Sequence, residues 1–105
     1  MVNSGPADDL NLTINTQPLM LIAGVAVYRA WAGLSGAKPA FLAGHSLGEY
    51  TALVAAEVLS FADALALVRF RAQAMQHAVP EGIGGMAAIL GLDDAIIQTV
   101  CHEVT

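Results

Sequence analysis

The pentapeptide Gly44-His45-Ser46-Leu47-Gly48 constrains this chain more than any other feature. It reads G-x-S-x-G, the pattern in which a serine sits on a strained turn between a strand and a helix with its hydroxyl lifted clear of the backbone. The flanks fit that reading. Ala40-Phe41-Leu42-Ala43 is an apolar run of strand length, and Tyr50 to Ala56 suits a buried helix. One glycine serves the tight turn and the other the close approach of the backbone. The run before the turn is apolar on both faces, as expected for a strand of a parallel sheet covered on both sides. One strand is not a sheet. The neighbouring strands are therefore expected from sequence outside these 105 residues.

Composition points the same way. Apolar residues make up 56% of the chain and charged residues 12%, about half the usual ~25% charged share. A small domain is mostly surface and needs a polar skin, so part of this apolar surface is expected to be covered by more of a longer chain or by a partner. The net charge is −5, with only Arg29, Lys38, Arg69 and Arg71 as cations. No basic cluster exists, which argues against nucleic acid. Cys101 is the single cysteine, so an internal disulfide is excluded. The amino terminus lacks the pattern of a secretory leader. The apolar stretch Leu19–Val27 is too short to span a bilayer, and Arg29 follows it.

Helix signals are clear. A turn is expected at Asp8–Leu12 within a loop over residues 1–15. Thr16 is expected to cap a helix that carries Pro18 in its first turn and ends between Trp31 and Gly36. Leu47–Ala56 forms the next helix. Ser60-Phe61-Ala62-Asp63 opens a third that runs to Ala78, where Pro80 and Gly82 stop it. Gly82-Ile83-Gly84-Gly85 is the candidate domain boundary. Met86–Leu90 reads as a second strand, and Asp93 caps a last helix that reaches the carboxyl terminus.

The stretch from Ala43 to Ala56 resembles the active-site segment of malonyl-CoA:acyl-carrier-protein transacylases, relatives of the acyltransferase domains of polyketide synthases. Thr16-Gln17-Pro18-Leu19, Phe61-Ala62-Asp63-Ala64, Arg71 through Gln76 and Gly85 through Leu92 are similar to further segments of that family. The likeness covers nearly the whole chain. It implies an α/β fold: residues 1–83 as part of a large α/β-hydrolase-like acyltransferase core, and 84–105 as the first strand and helix of a small ferredoxin-like subdomain. It implies transfer of malonyl from coenzyme A to the phosphopantetheine thiol of acyl carrier protein in the cytoplasm. Coenzyme A thioester is then the substrate, with no resident cofactor, no metal and no membrane. It also implies a catalytic histidine downstream of Thr105 and a second oxyanion donor upstream of Met1, so these residues alone are expected to be an inactive piece with apolar surface free to self-associate.

Four residues are singled out for chemistry. Ser46 is the candidate nucleophile, because acyl transfer between thiols needs a group that holds the acyl chain covalently. On the residues alone, a helix-capping serine fits as well. The Leu47 backbone N–H is the natural oxyanion donor, since it follows the nucleophile. Arg71 shares an apolar helical stripe with Ala64, Leu67, Val68, Met75 and Ala78, whereas Arg69 lies opposite. A charge there requires a partner. It can be an internal acid, solvent reached by snorkelling, or a ligand carboxylate held bidentately. The resemblance assigns Arg71 to the free carboxylate of malonyl and places Gln17 near the pocket. His45 is rejected as the base, because adjacent residues on a sharp turn point apart and triad partners come from distant loops. His77 reads as a helix-end charge and His102 as solvated. A serine esterase or thioesterase shares the turn but has no use for Arg71, and a non-catalytic module needs neither.

Overall fold

The computed structural model describes residues 5–80 and 82–104. Among the described residues five helices follow one another: α1 (Ala7–Asn11), α2 (Thr13–Ser35), α3 (Gly48–Ala55), α4 (Phe61–Ala78) and α5 (Asp94–Glu103). The long helix α2 is central. It packs on α4 and on α3, and α1 folds back on its start. The buried stripe of α2 is Gln17, Leu21 and Val25, four residues apart as one helix face requires. The facing stripe of α4 is Ala64, Val68 and Ala72. Leu21 and Val68 are fully buried at the centre, with Val54 of α3 against them and Leu47, Tyr50, Leu59, Phe61 and Leu65 around the rim. Close approach of α2 and α3 rests on Gly24, where a Cβ would come within 2.9 Å of the Thr51 methyl carbon.

The expected start of α2 is corrected. Thr16 does not cap α2. The helix begins at Thr13, because the Leu12 carbonyl already accepts the N–H groups of Asn15 and Thr16. The Thr16 hydroxyl instead donates to the carbonyls of Leu10 and Leu12, tying α1 to α2. Gly33 stays helical. α2 ends at Gly36, whose φ of 63° is the left-handed cap conformation, with its N–H on the Ala32 carbonyl. At 23 residues α2 is long and apolar enough to cross a membrane by length and composition, which the shorter stretch Leu19–Val27 was not. In this structure it is instead the helix on which α3 and α4 pack. The start of α4 is as expected. Ser60 Oγ accepts the Asp63 N–H at 3.1 Å and donates to the Asp63 carboxylate at 2.7 Å. Asp93 stands at the N-cap of α5 but makes no side-chain cap bond.

The two expected strands are not formed among the described residues. The segments 41–44 and 84–90 are irregular, and neither makes a backbone–backbone hydrogen bond. The reason is physical: a strand exists only by pairing, and these segments have no partner to pair with. Their apolar side chains stand in solvent, with Phe41 93% and Met86 91% exposed. Beyond Gly84, α5 packs on none of the other helices. The chain is accordingly extended. Its radius of gyration is 17.1 Å, against about 13 Å for a compact domain of this length.

The core is small enough that one side chain tests it. Leu21→Ala should lower stability by about 2–5 kcal/mol in denaturant unfolding. Leu34→Ala, at a position 90% exposed, should change it by no more than about 0.5 kcal/mol.

Candidate active site

Ser46 has a φ of +55°. A non-glycine residue in this region is costly, and its presence marks a constrained turn. The turn closes through three successive short-range bonds: Gly48 N–H to the His45 carbonyl at 2.9 Å, Glu49 N–H to Ser46 at 3.2 Å, and Tyr50 N–H to Leu47 at 3.1 Å. α3 begins at once with Gly48. The two glycines of the motif are not equivalent. A Cβ on Gly44 would lie 2.0 Å from both the carbonyl carbon and the carbonyl oxygen of Gly48 and 2.4 Å from the Glu49 nitrogen. A Cβ on Gly48 would meet nothing within 4 Å. Gly44 therefore permits the incoming chain to lie against the first turn of α3, and the serine itself bears the left-handed backbone. The Leu47 backbone N–H has no acceptor among the described residues and stands beside the positive end of α3.

Arg71 reaches this turn from α4. Its Nη2 donates to Ser46 Oγ at 2.9 Å and its Nη1 to Gln17 Oε1 at 2.5 Å. The guanidinium carbon stands 5.8 Å from the centre of the Tyr50 ring, a cation–π distance. Arg71 is half-buried, at the edge of the α4 stripe. The stripe is rotated from its expected register: Ala72 is buried, whereas Leu67, Met75 and Ala78 are exposed. Arg71 therefore flanks the core and faces the elbow. Among the described residues no carboxylate forms an ion pair with it, so the reading of a structural salt bridge has no support. Gln17 is buried, and its Nε2 donates to Thr13 Oγ1 at 2.9 Å and contacts Met75 Sδ at 3.3 Å.

Ser46, Leu47, Arg71 and Gln17 thus meet in one cleft of about 510 Å³ between α2, the elbow and α4, which Thr13, Met20, Thr51 and Met75 help to line. Thr13, Met75 and Tyr50 carry no motif of their own. Helical spacing does connect them, since Thr13 lies one turn before Gln17 and Met75 one turn after Arg71. No histidine hydrogen-bonds Ser46 among the described residues. His45 lines the cleft, while His77 lies in the last turn of α4 and His102 in that of α5. Nor do three or more His, Cys, Asp or Glu side chains cluster as metal ligands among the described residues.

An elbow of this form belongs to several acyl-handling scaffolds, and a family match decides among them. The acyl transferase domain family matches residues 1–103. This chain belongs to that family. As an acyl transferase domain it is 57% identical over 103 residues to the malonyl CoA-acyl carrier protein transacylase of Escherichia coli strain K12, an alignment covering 98% of this chain and 33% of that protein. Its structure superimposes on the malonyl CoA-acyl carrier protein transacylase of Coxiella burnetii with a TM-score of 0.86 and 52% identity, covering 94% of this chain and 31% of the other. For the acyl carrier protein S-malonyltransferase of Vibrio cholerae the values are 0.81 and 53%, over 95% and 33%. The acyl transferase chain spans about a third of the length of these relatives.

The glycine asymmetry gives a paired test. Gly44→Ala should disrupt the elbow, because backbone atoms cannot move aside as a flexible side chain can. The variant should lose about 2 kcal/mol or more of stability. Gly48→Ala should fold as the parent does. Thermal melting of the two proteins side by side is the measurement.

Proposed function

We propose that this chain carries the nucleophile and the carboxylate-binding arginine of a malonyl-CoA:acyl-carrier-protein acyltransferase. The observation that carries the reading is the Arg71–Ser46 bond at 2.9 Å, made by a guanidinium with no acidic partner among the described residues. A half-buried cation is stable when its charge is matched. A substrate carboxylate arriving beside the nucleophile would match it. An esterase or thioesterase would have no use for such a charge at this place.

The chemistry then runs in two halves. Ser46 Oγ attacks the thioester carbon of malonyl-CoA and gives up its proton. The Leu47 N–H, with the N-terminus of α3, stabilises the oxyanion. The carbon–sulfur bond breaks, and coenzyme A leaves as the thiol. The phosphopantetheine thiol of acyl carrier protein attacks the seryl ester, its proton passes back to Ser46 Oγ, and malonyl leaves on the new sulfur. Through both halves Arg71 grips the free carboxylate by its two parallel donors, and Gln17 holds Arg71. The histidine that moves the proton is not His45, His77 or His102. Coenzyme A enters as part of the substrate and not as a resident cofactor. The reading includes a cytoplasmic setting for fatty-acid synthesis, without nucleic acid or membrane.

The same reading gives the uncovered segments a place. Residues 1–83 would belong to an α/β-hydrolase-like core in which 40–43 pairs as a strand. Residues 84–105 would begin a ferredoxin-like subdomain. The exposed Phe41, Met86 and Leu90 support this, because such side chains are stable under a covering layer. They also support self-association of the chain when it is alone.

Two measurements test the proposal. The 105-residue chain by itself should transfer malonyl negligibly, since a serine hydroxyl is a poor nucleophile without a base. Robust turnover by the purified chain would sink the assignment of the base outside it. The second test places these residues in the corresponding third of the Escherichia coli relative. In that hybrid, Ser46→Ala should abolish the covalent malonyl adduct seen by mass spectrometry. Arg71→Ala should cost malonyl transfer roughly 2–5 kcal/mol, at least about tenfold, as expected for losing a buried charged partner. Acetyl transfer should be spared, and Arg69→Ala should do little. Equal losses for malonyl and acetyl would make Arg71 structural.

A further inference from the structure

We propose that Thr13 is a positioning residue, whose hydroxyl fixes the Gln17 amide so that Gln17 Oε1 holds Arg71 ready for the substrate carboxylate. The inference rests on the reading of Arg71 given above.

A guanidinium has donors only. Arg71 Nη1 takes Gln17 Oε1 at 2.5 Å, so the amide must turn its oxygen towards Arg71 and its nitrogen away from it. Gln17 is 6% exposed, and the nitrogen has little access to water. Two groups receive it: Thr13 Oγ1 at 2.9 Å and Met75 Sδ at 3.3 Å. A thioether is a weak acceptor, whereas a hydroxyl oxygen is a good one. Thr13 therefore carries the satisfaction of that buried N–H. Its place follows from the helix. Thr13 is the first residue of α2 and lies one turn before Gln17, on the same face.

Removing the hydroxyl would leave a buried donor against sulfur alone, which is costly. The amide would turn to find another acceptor and withdraw its oxygen from Nη1. Arg71 would then be held only by Ser46 and by the face of Tyr50. Its fork would no longer stand in one orientation, although neither Arg71 nor Ser46 has been altered.

The test uses the same hybrid, with malonyl-CoA and acetyl-CoA as the acyl donors. Thr13→Val keeps the branched shape and removes the hydroxyl, and Thr13→Ser keeps the hydroxyl. Thr13→Val should lower kcat/KM for malonyl-CoA by about fivefold, mainly through KM, the effect of one lost hydrogen bond. Acetyl-CoA transfer should be unchanged, and Thr13→Ser should match the parent. Equal losses with both donors, or no loss with malonyl-CoA, would overturn the proposal. NMR of the hybrid carrying isotope-labelled glutamine gives a readout independent of turnover. The Gln17 side-chain amide signals should shift in Thr13→Val and hold in Thr13→Ser. Unshifted signals in the valine variant would overturn the proposal as well. A parent hybrid without malonyl preference would remove the reading of Arg71, and the NMR comparison would still decide whether Thr13 holds Gln17.

Discussion

One guanidinium joins the parts of this molecule that matter. Arg71 leaves α4, bonds Gln17 on α2, bonds Ser46 at the elbow and lies over Tyr50 on α3. The apolar core beneath it, centred on Leu21 and Val68, brings the helices together. Apolar contact is not directional and leaves the helices free to adjust. The hydrogen bonds of Arg71 are directional, and they set where α4 stands relative to the turn. Those same bonds consume donors that a ligand would want. On the proposed reading, a carboxylate takes over the contact with Ser46, while the buried Gln17 Oε1 keeps its hold on Arg71.

The helical frame was legible in the sequence because its signals are local. Ser60 with Asp63, the glycine at 36 and the apolar spacing of α2 and α4 each act within a turn or two. The errors came where a distant group outweighed a local rule. Thr16 has the chemistry of a cap, but the chain before it folds into α1 and offers two carbonyls that its hydroxyl takes instead. The stripe on α4 was placed one residue off, because counting by three and four does not reveal which part of a broad apolar face meets α2. Strands at 40–43 and 86–90 were read from apolar runs of the right length. Their formation depends on partners that no local rule supplies.

The site divides in the same way. Ser46 was legible from its motif, and its positive φ is the strain that motif entails. Arg71 stood out as a charge on an apolar stripe. Gln17 came from the family resemblance, and its hydrogen bond to Arg71 spans 54 positions of sequence. No pattern in the chain announces such a bond. Thr13, Met75 and Tyr50 were not singled out, although each lies one helical turn from a singled-out residue or directly in the elbow segment. Met75 stands on the helical stripe that carries Arg71, and Thr13 lies four residues before Gln17.

The closeness of Arg71 to Ser46 has a consequence for access. With 2.9 Å between their polar atoms the two groups touch, and no ligand atom fits between them while the site is at rest. On the proposed reading, an acyl group with a carboxylate must part them, and it brings its own partner for the guanidinium as it does so. A neutral acyl group brings none. The arginine would then shield the serine hydroxyl from groups that cannot pair with it, with no lid needed to do so.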